Sequence, residues 1–113
     1  MKPYILKDTA IELSVDMNAS HDGSVIDCRD FGRLLITAQW INADATDGSF
    51  SIEISNNGTG NWETFHGTSF GVTTGYGAHH WDWDKRAIPF IRVKWNHGTN
   101  TTGIYSVTCW MEA

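Results

Sequence analysis

The stretch Phe50-Ser-Ile-Glu-Ile-Ser-Asn-Asn-Gly-Thr-Gly-Asn-Trp-Glu-Thr-Phe65 restricts the fold of this chain more than any other segment. Phe50, Ile52 and Ile54 alternate with Ser51, Glu53 and Ser55, the period-2 pattern of a strand with one buried face. Asn56-Asn57-Gly58 follows, and Asn and Gly tolerate the positive φ of a tight hairpin turn. Trp62 and Phe65 then belong to a returning segment. Strand, turn and aromatic-bearing return make a sheet unit that contains no reactive constellation.

The same alternation recurs along the chain. Ile11, Leu13, Val15 and Met17 are expected to point inward. In Arg33–Ile41, Leu34, Ile36, Ala38 and Trp40 share one face, while Leu35 and Ile41 make the other partly apolar, as in a central strand. His79, Trp81 and Trp83 oppose His80, Asp82 and Asp84. Ile91, Val93 and Trp95 face inward with Arg92 and Lys94 outward, and Tyr105, Val107, Cys109 and Met111 line one face of the last strand. Val25–Asp30 reads as a short strand or connector. Polar clusters at 18–24, 42–49 and 96–103 read as turns, and the Gly67–Gly77 passage as a flexible loop. No helical periodicity extends beyond a turn. The expectation is an all-β chain, a single antiparallel β-sandwich of about seven to eight strands. Its core is expected to include Trp40, Ile52, Ile54, Val93 and Val107.

At 113 residues the chain forms one domain, residues 1–113, burying roughly two-thirds of its unfolded surface around one core. Hydrophobic residues at 41% against 19% charged exclude a disordered chain. A net charge of −5 excludes a nucleic-acid partner, since phosphate binding needs a basic patch and Lys85-Arg86 is the only basic pair. Residues 1–20 lack the apolar stretch of a signal peptide, and no run approaches the ~20 apolar residues of a membrane-spanning helix. Synthesis in a cytoplasm and no membrane association are therefore expected. There, Cys28 and Cys109 are read as reduced thiols, with a disulfide joining the N-terminal region to the last strand as the alternative.

Candidate chemistry is sparse. No Ser or Cys sits in a nucleophile frame. Asp82 and Asp84 share a strand face, a spacing open to acid–base work but equally that of a solvated strand. His80, Asp82 and Asp84, with His79, His21-Asp22 and His66, could supply zinc or calcium ligands, but their spacing is not diagnostic. No metal, cofactor or catalytic residue is assigned. Six Trp raise a carbohydrate reading, with Trp62, Tyr76, Trp81 and Trp110 as stacking platforms. Burial is the commoner fate of Trp in a small domain. Tyr76, between Gly75 and Gly77, is the best exposed candidate.

The run from Trp40 through Gly48-Ser-Phe-Ser-Ile-Glu-Ile-Ser-Asn-Asn-Gly-Thr-Gly-Asn-Trp62, followed by Ala87-Ile-Pro-Phe-Ile-Arg-Val-Lys-Trp95, resembles a β-sandwich domain of bacteriophage virion proteins. The hairpin and the Phe-Ile-Arg-Val strand are also similar to discoidin-like sandwiches. The likeness covers residues 31–111. It departs from the pattern at Asn57, where an Asp is usual before the turn Gly, and at Gly60, which lengthens the loop. The resemblance implies a jelly-roll or discoidin-like sandwich and a non-enzymatic virion protein. Its expected place is capsid decoration or a minor tail or fibre component, assembled in the host bacterial cytoplasm as a homo-oligomer on major capsid or tail subunits. The alternative is a host-adhesion module that binds a surface glycan. Phe70, Tyr76, His79 and His80 are the candidate contacts for a neighbouring subunit or glycan, within an expected intersubunit segment 68–80.

Overall fold

The computed structural model describes residues 5–29, 31–84 and 89–112, without the side chains of residues 5–10, 83, 84 and 112. The expectations for the Trp83 and Asp84 side chains, Lys85-Arg86 and Ile88 lie outside the described residues.

Among the described residues ten strands are present, all paired antiparallel. They are β1 (Ile5–Asp16), β2 (His21–Asp22), β3 (Ile26–Asp27), β4 (Arg33–Ala43), β5 (Ser49–Ser55), β6 (Glu63–Thr64), β7 (Phe70–Gly71), β8 (Gly75–Asp84), β9 (Phe90–Asn96) and β10 (Ile104–Glu112). Sheet A has four strands in the order β1-β10-β4-β8. Sheet B is built on the β9–β5 pair, with β2 and β3 along β9 and β6 and β7 along β5. The two sheets form a single β-sandwich. The strand count exceeds the expected seven to eight because each flank of sheet B is a pair of two-residue strands.

The core lies between the sheets, where alternation placed it. Leu34, Ile36, Ala38 and Trp40 of β4, Ile91, Val93 and Trp95 of β9, and Tyr105, Val107, Cys109 and Met111 of β10 are all buried. Phe50 joins the sheets through its rings, 4.7 Å from Trp95 and 5.0 Å from Tyr105 between centroids. Such tilted and edge-on pairs are the favoured aromatic geometries. β4 is central as expected, between β10 and β8. Both cysteines are buried, and the Cys28 thiol donates to the Ile26 carbonyl at 3.6 Å.

Two inward assignments change. Leu13 is 69% exposed. β1 takes three register shifts against β10, between Leu6 and Thr9, between Ala10 and Glu12 and between Glu12 and Val15, the last with Ser14 at φ 52°. Each shift inserts an unpaired residue and reverses the phase of alternation. Glu12 therefore stands opposite Val107, and its Oε1 accepts the Ser24 N–H at 2.6 Å. Ile54 is only half-buried, packed against the edge of the core, whereas Ile52 is fully buried. The polar face of β5 also departs from expectation, since Ser51 and Ser55 are buried. Ser55 orders the hairpin turn: its Oγ accepts the Gly58 N–H at 3.1 Å, while Asn57 Oδ1 accepts those of Thr59 and Gly60, each at 3.0 Å.

Candidate functional site

The expected contact residues fall on two faces. Phe70 on β7 and His79 on β8 stack inside the sandwich edge, with ring centroids 3.8 Å apart and planes 10° from parallel. Trp81 stands edge-on to His79 at 4.8 Å. This enclosure, and then the neighbouring His80, hold the His79 imidazole below its ordinary pKa, because burial penalises the charged ring. Tyr76 and His80 instead face outward from sheet A, Tyr76 being 81% exposed. The four residues therefore do not converge on one site.

The Gly67–Gly77 passage is not the flexible loop expected of it. Thr68 Oγ1 accepts the Ile52 N–H at 3.0 Å, and the Val72 N–H donates to Gly48 at 3.1 Å. Two indoles then tie the passage to sheet A: Trp81 Nε1 donates to Thr68 at 2.8 Å and Trp40 Nε1 to Thr73 at 3.1 Å. Gly75, Tyr76 and Gly77 already belong to β8. At Gly77 the glycine supplies space, since a Cβ there would lie 2.5 Å from the Trp40 ring. The segment is ordered within the chain, so a neighbouring subunit is not needed to fix it.

The proposed stacking platforms are also redistributed. Trp81 is buried. Arg92 lies over the Trp62 ring at 4.4 Å and is held there by Glu53 Oε1, which accepts its Nε–H at 2.7 Å. Trp110 is half-buried on the outer face of sheet A, where Tyr76 is fully presented. Asp82 is exposed, 3.5 Å from Arg33. His80 shares its outer face and His79 lies on the other, and among the described residues no three His, Cys, Asp or Glu side chains gather around one point.

Two features went unmarked in the sequence. The first is the outer edge of β8. β8 keeps regular register with β4 from Arg33↔Asp84 to Trp40↔Gly77. It contains no Lys or Pro, and its charged residues lie near its C-terminal end. Among the described residues no strand pairs with its other side. The second is a cleft of about 340 Å³ where β1, β4 and β10 meet the loop at 97–103, rimmed by Asp16, Asn18 and Asn42 over Ile41 and Ile104.

No protein-family model matches the chain, and no curated protein is similar to it in sequence.

Proposed function

We propose that this chain is a non-enzymatic structural protein of a bacteriophage virion, a capsid decoration or minor structural subunit, which docks on a neighbouring virion subunit through the outer edge of β8. The observation that carries this reading is a contrast between edges. An unpaired edge invites another strand, and folded proteins blunt it with short strands, bulges, Lys or Pro. β1 is interrupted by three register shifts, and both flanks of sheet B are strands of two residues. Among the described edges β8 alone keeps a long regular register, over eight of its ten residues from Gly77 to Asp84. A strand of a neighbouring subunit added there would extend sheet A through main-chain hydrogen bonds, with Tyr76 and His80 lying beside the seam. The likeness of the Phe50–Trp62 hairpin and the Phe90–Trp95 strand to virion sandwiches supports the particle setting.

Mass spectrometry of purified virions tests the setting, and hydrogen exchange tests the edge. The chain is expected in the particle, with amides of β8 slower to exchange there than in the isolated protein. Its absence from particles would sink the virion reading. Equal exchange of β8 in both states would remove the docking edge.

A further inference from the structure

A second site lies at one end of sheet A, centred on β1, β10 and β4 and reaching β8 at Tyr76. The register of β1, β10 and β4 sets Asp16 opposite Ile104 and Ile104 opposite Ile41, a row that runs directly across the strands. Tyr76 continues it on β8, opposite the irregularity between Trp40 and Ala43. Ile41 is 47% exposed although it belongs to the central strand. The row therefore presents a carboxylate, two aliphatic side chains and a phenol ring in sequence on one outer face.

The polar groups around this row have no described protein partners. Among the described residues, the side chains of Asp16, Asn18 and Asn42 make no hydrogen bond and no ion pair. Most other described carboxylates are engaged: Asp44 accepts from Thr101, Asp47 from Thr99, Asp22 from Lys94, Glu53 from Arg92 and Asp27 from Arg29. The wall of the cleft is nevertheless braced by hydrogen bonds. Buried Asn100 and the Asp44 and Asp47 carboxylates fix the 97–103 loop, and the Thr102 hydroxyl donates to the Asn42 carbonyl at 2.7 Å. Asn42 sits at φ 61° beside Gly103 at φ 103°, where a Cβ would meet the Ile41 carbonyl at 2.6 Å. Left-handed backbone at a non-glycine residue is costly and recurs at binding sites whose surroundings enforce it.

The geometry points to a binding site for a neutral saccharide. An acceptor carboxylate and two amides, which both donate and accept, match the hydroxyls of a sugar, and the exposed Ile41 and Tyr76 with the half-buried Ile104 offer apolar surface to its C–H faces. None of the polar groups of the rim is cationic, and the chain carries a net charge of −5. Phosphorylated, sulfated or sialylated ligands are therefore disfavoured. The inference does not depend on the chain's place in a virion.

The intact chain on an array of neutral and acidic glycans, followed by titration of each hit in solution, tests the proposal. Neutral saccharides are expected to bind. Asp16→Ala and Asn42→Gly should each weaken the interaction roughly tenfold through a lost hydrogen bond. Thermal melting of Asp16→Ala should be unchanged, and glycine relieves the backbone at position 42. Tyr76→Ala should weaken extended glycans more than monosaccharides. Three outcomes would overturn the proposal: a blank array, binding confined to acidic glycans, or hits that neither Asp16→Ala nor Asn42→Gly weakens. Loss of binding in both variants with the chain absent from virions would leave the site standing and remove only the particle setting.

Discussion

Asn100 Oδ1 accepts the backbone N–H of Asp44 at 2.9 Å, joining the β9–β10 loop to the end of β4 across 56 positions of sequence. The same oxygen accepts the Ala45 N–H at 3.2 Å, while Nδ2 donates to the carbonyls of Met17 at 3.2 Å and Thr102 at 2.6 Å. Asn100 is fully buried, so its loss strands donors and acceptors that water cannot readily reach. Asn100→Leu should cost about 3 kcal/mol or more, since each orphaned buried group costs roughly 1–3 kcal/mol. Urea unfolding followed by circular dichroism measures it, and a midpoint like that of the parent would show the loop to be held by Asp44 and Asp47 alone.

Gly77→Ala should destabilise by about 1–3 kcal/mol through overpacking. The new methyl would meet the Trp40 ring, and moving that ring breaks its bond to Thr73. The Trp40 indole N–H resonance should shift or broaden. An unchanged resonance with unchanged stability would mean that the ring does not rest on Gly77.

Neighbouring isoleucines on β5 should respond differently. Ile52→Ala removes a fully buried side chain and should cost roughly 2–5 kcal/mol. Ile54→Ala, at the half-buried edge of the core, should fall at or below the bottom of that range. Equal losses in thermal or chemical unfolding would contradict this division.

Acid should loosen the loop pole and the Asp27 turn. The Thr101 hydroxyl and N–H hold Asp44 below the usual carboxylate range, the Thr99 N–H and hydroxyl hold Asp47 there, and Arg29 brings Asp27 down to about 2. A carboxylate with a depressed folded pKa adds stability above its unfolded pKa and loses it as pH falls through the folded value. Stability should therefore decline from the ordinary aspartate pKa of 3.8 down to about 2. The amides of Thr99 and Thr101 should report it by shifting in that window. Flat amide shifts across it would show that the carboxylates do not hold the loop.

A lysine on the open edge should separate docking from folding. Ala78 is exposed on β8 opposite Gln39, so Ala78→Lys should leave the melting temperature within a degree or two, as for most surface changes. Incorporation into particles should fall. Normal incorporation would place the contact elsewhere.

The sandwich was legible in the sequence because a two-residue side-chain period writes one buried face directly into composition. β9 and β10 keep that period throughout, β4 keeps it from Leu34 to Trp40, and their inward residues were read correctly. Leu13 was misread because its position depends on register shifts at Ala10–Glu12 and at Ser14, where no Gly or Pro marks the break. Gly77 was misread for a different reason: glycine signals either freedom or lack of bulk, and only the position of Trp40 decides between them. Asp16 and Asn42 are brought together by the pairing of both β1 and β4 with β10. No local pattern records that meeting.

The two-residue flanks, the shifted β1 and the regular β8 also set a valency. With one regular receptive edge among the described residues, a copy that has paired through β8 presents only the shifted β1 and the two-residue strands for growth. Self-association by this route would close at two copies, since extended fibres need complementary surfaces that remain open after each addition. On a larger assembly the same property would make the chain a terminator of sheets, able to be added once per partner strand and unable to propagate beyond it.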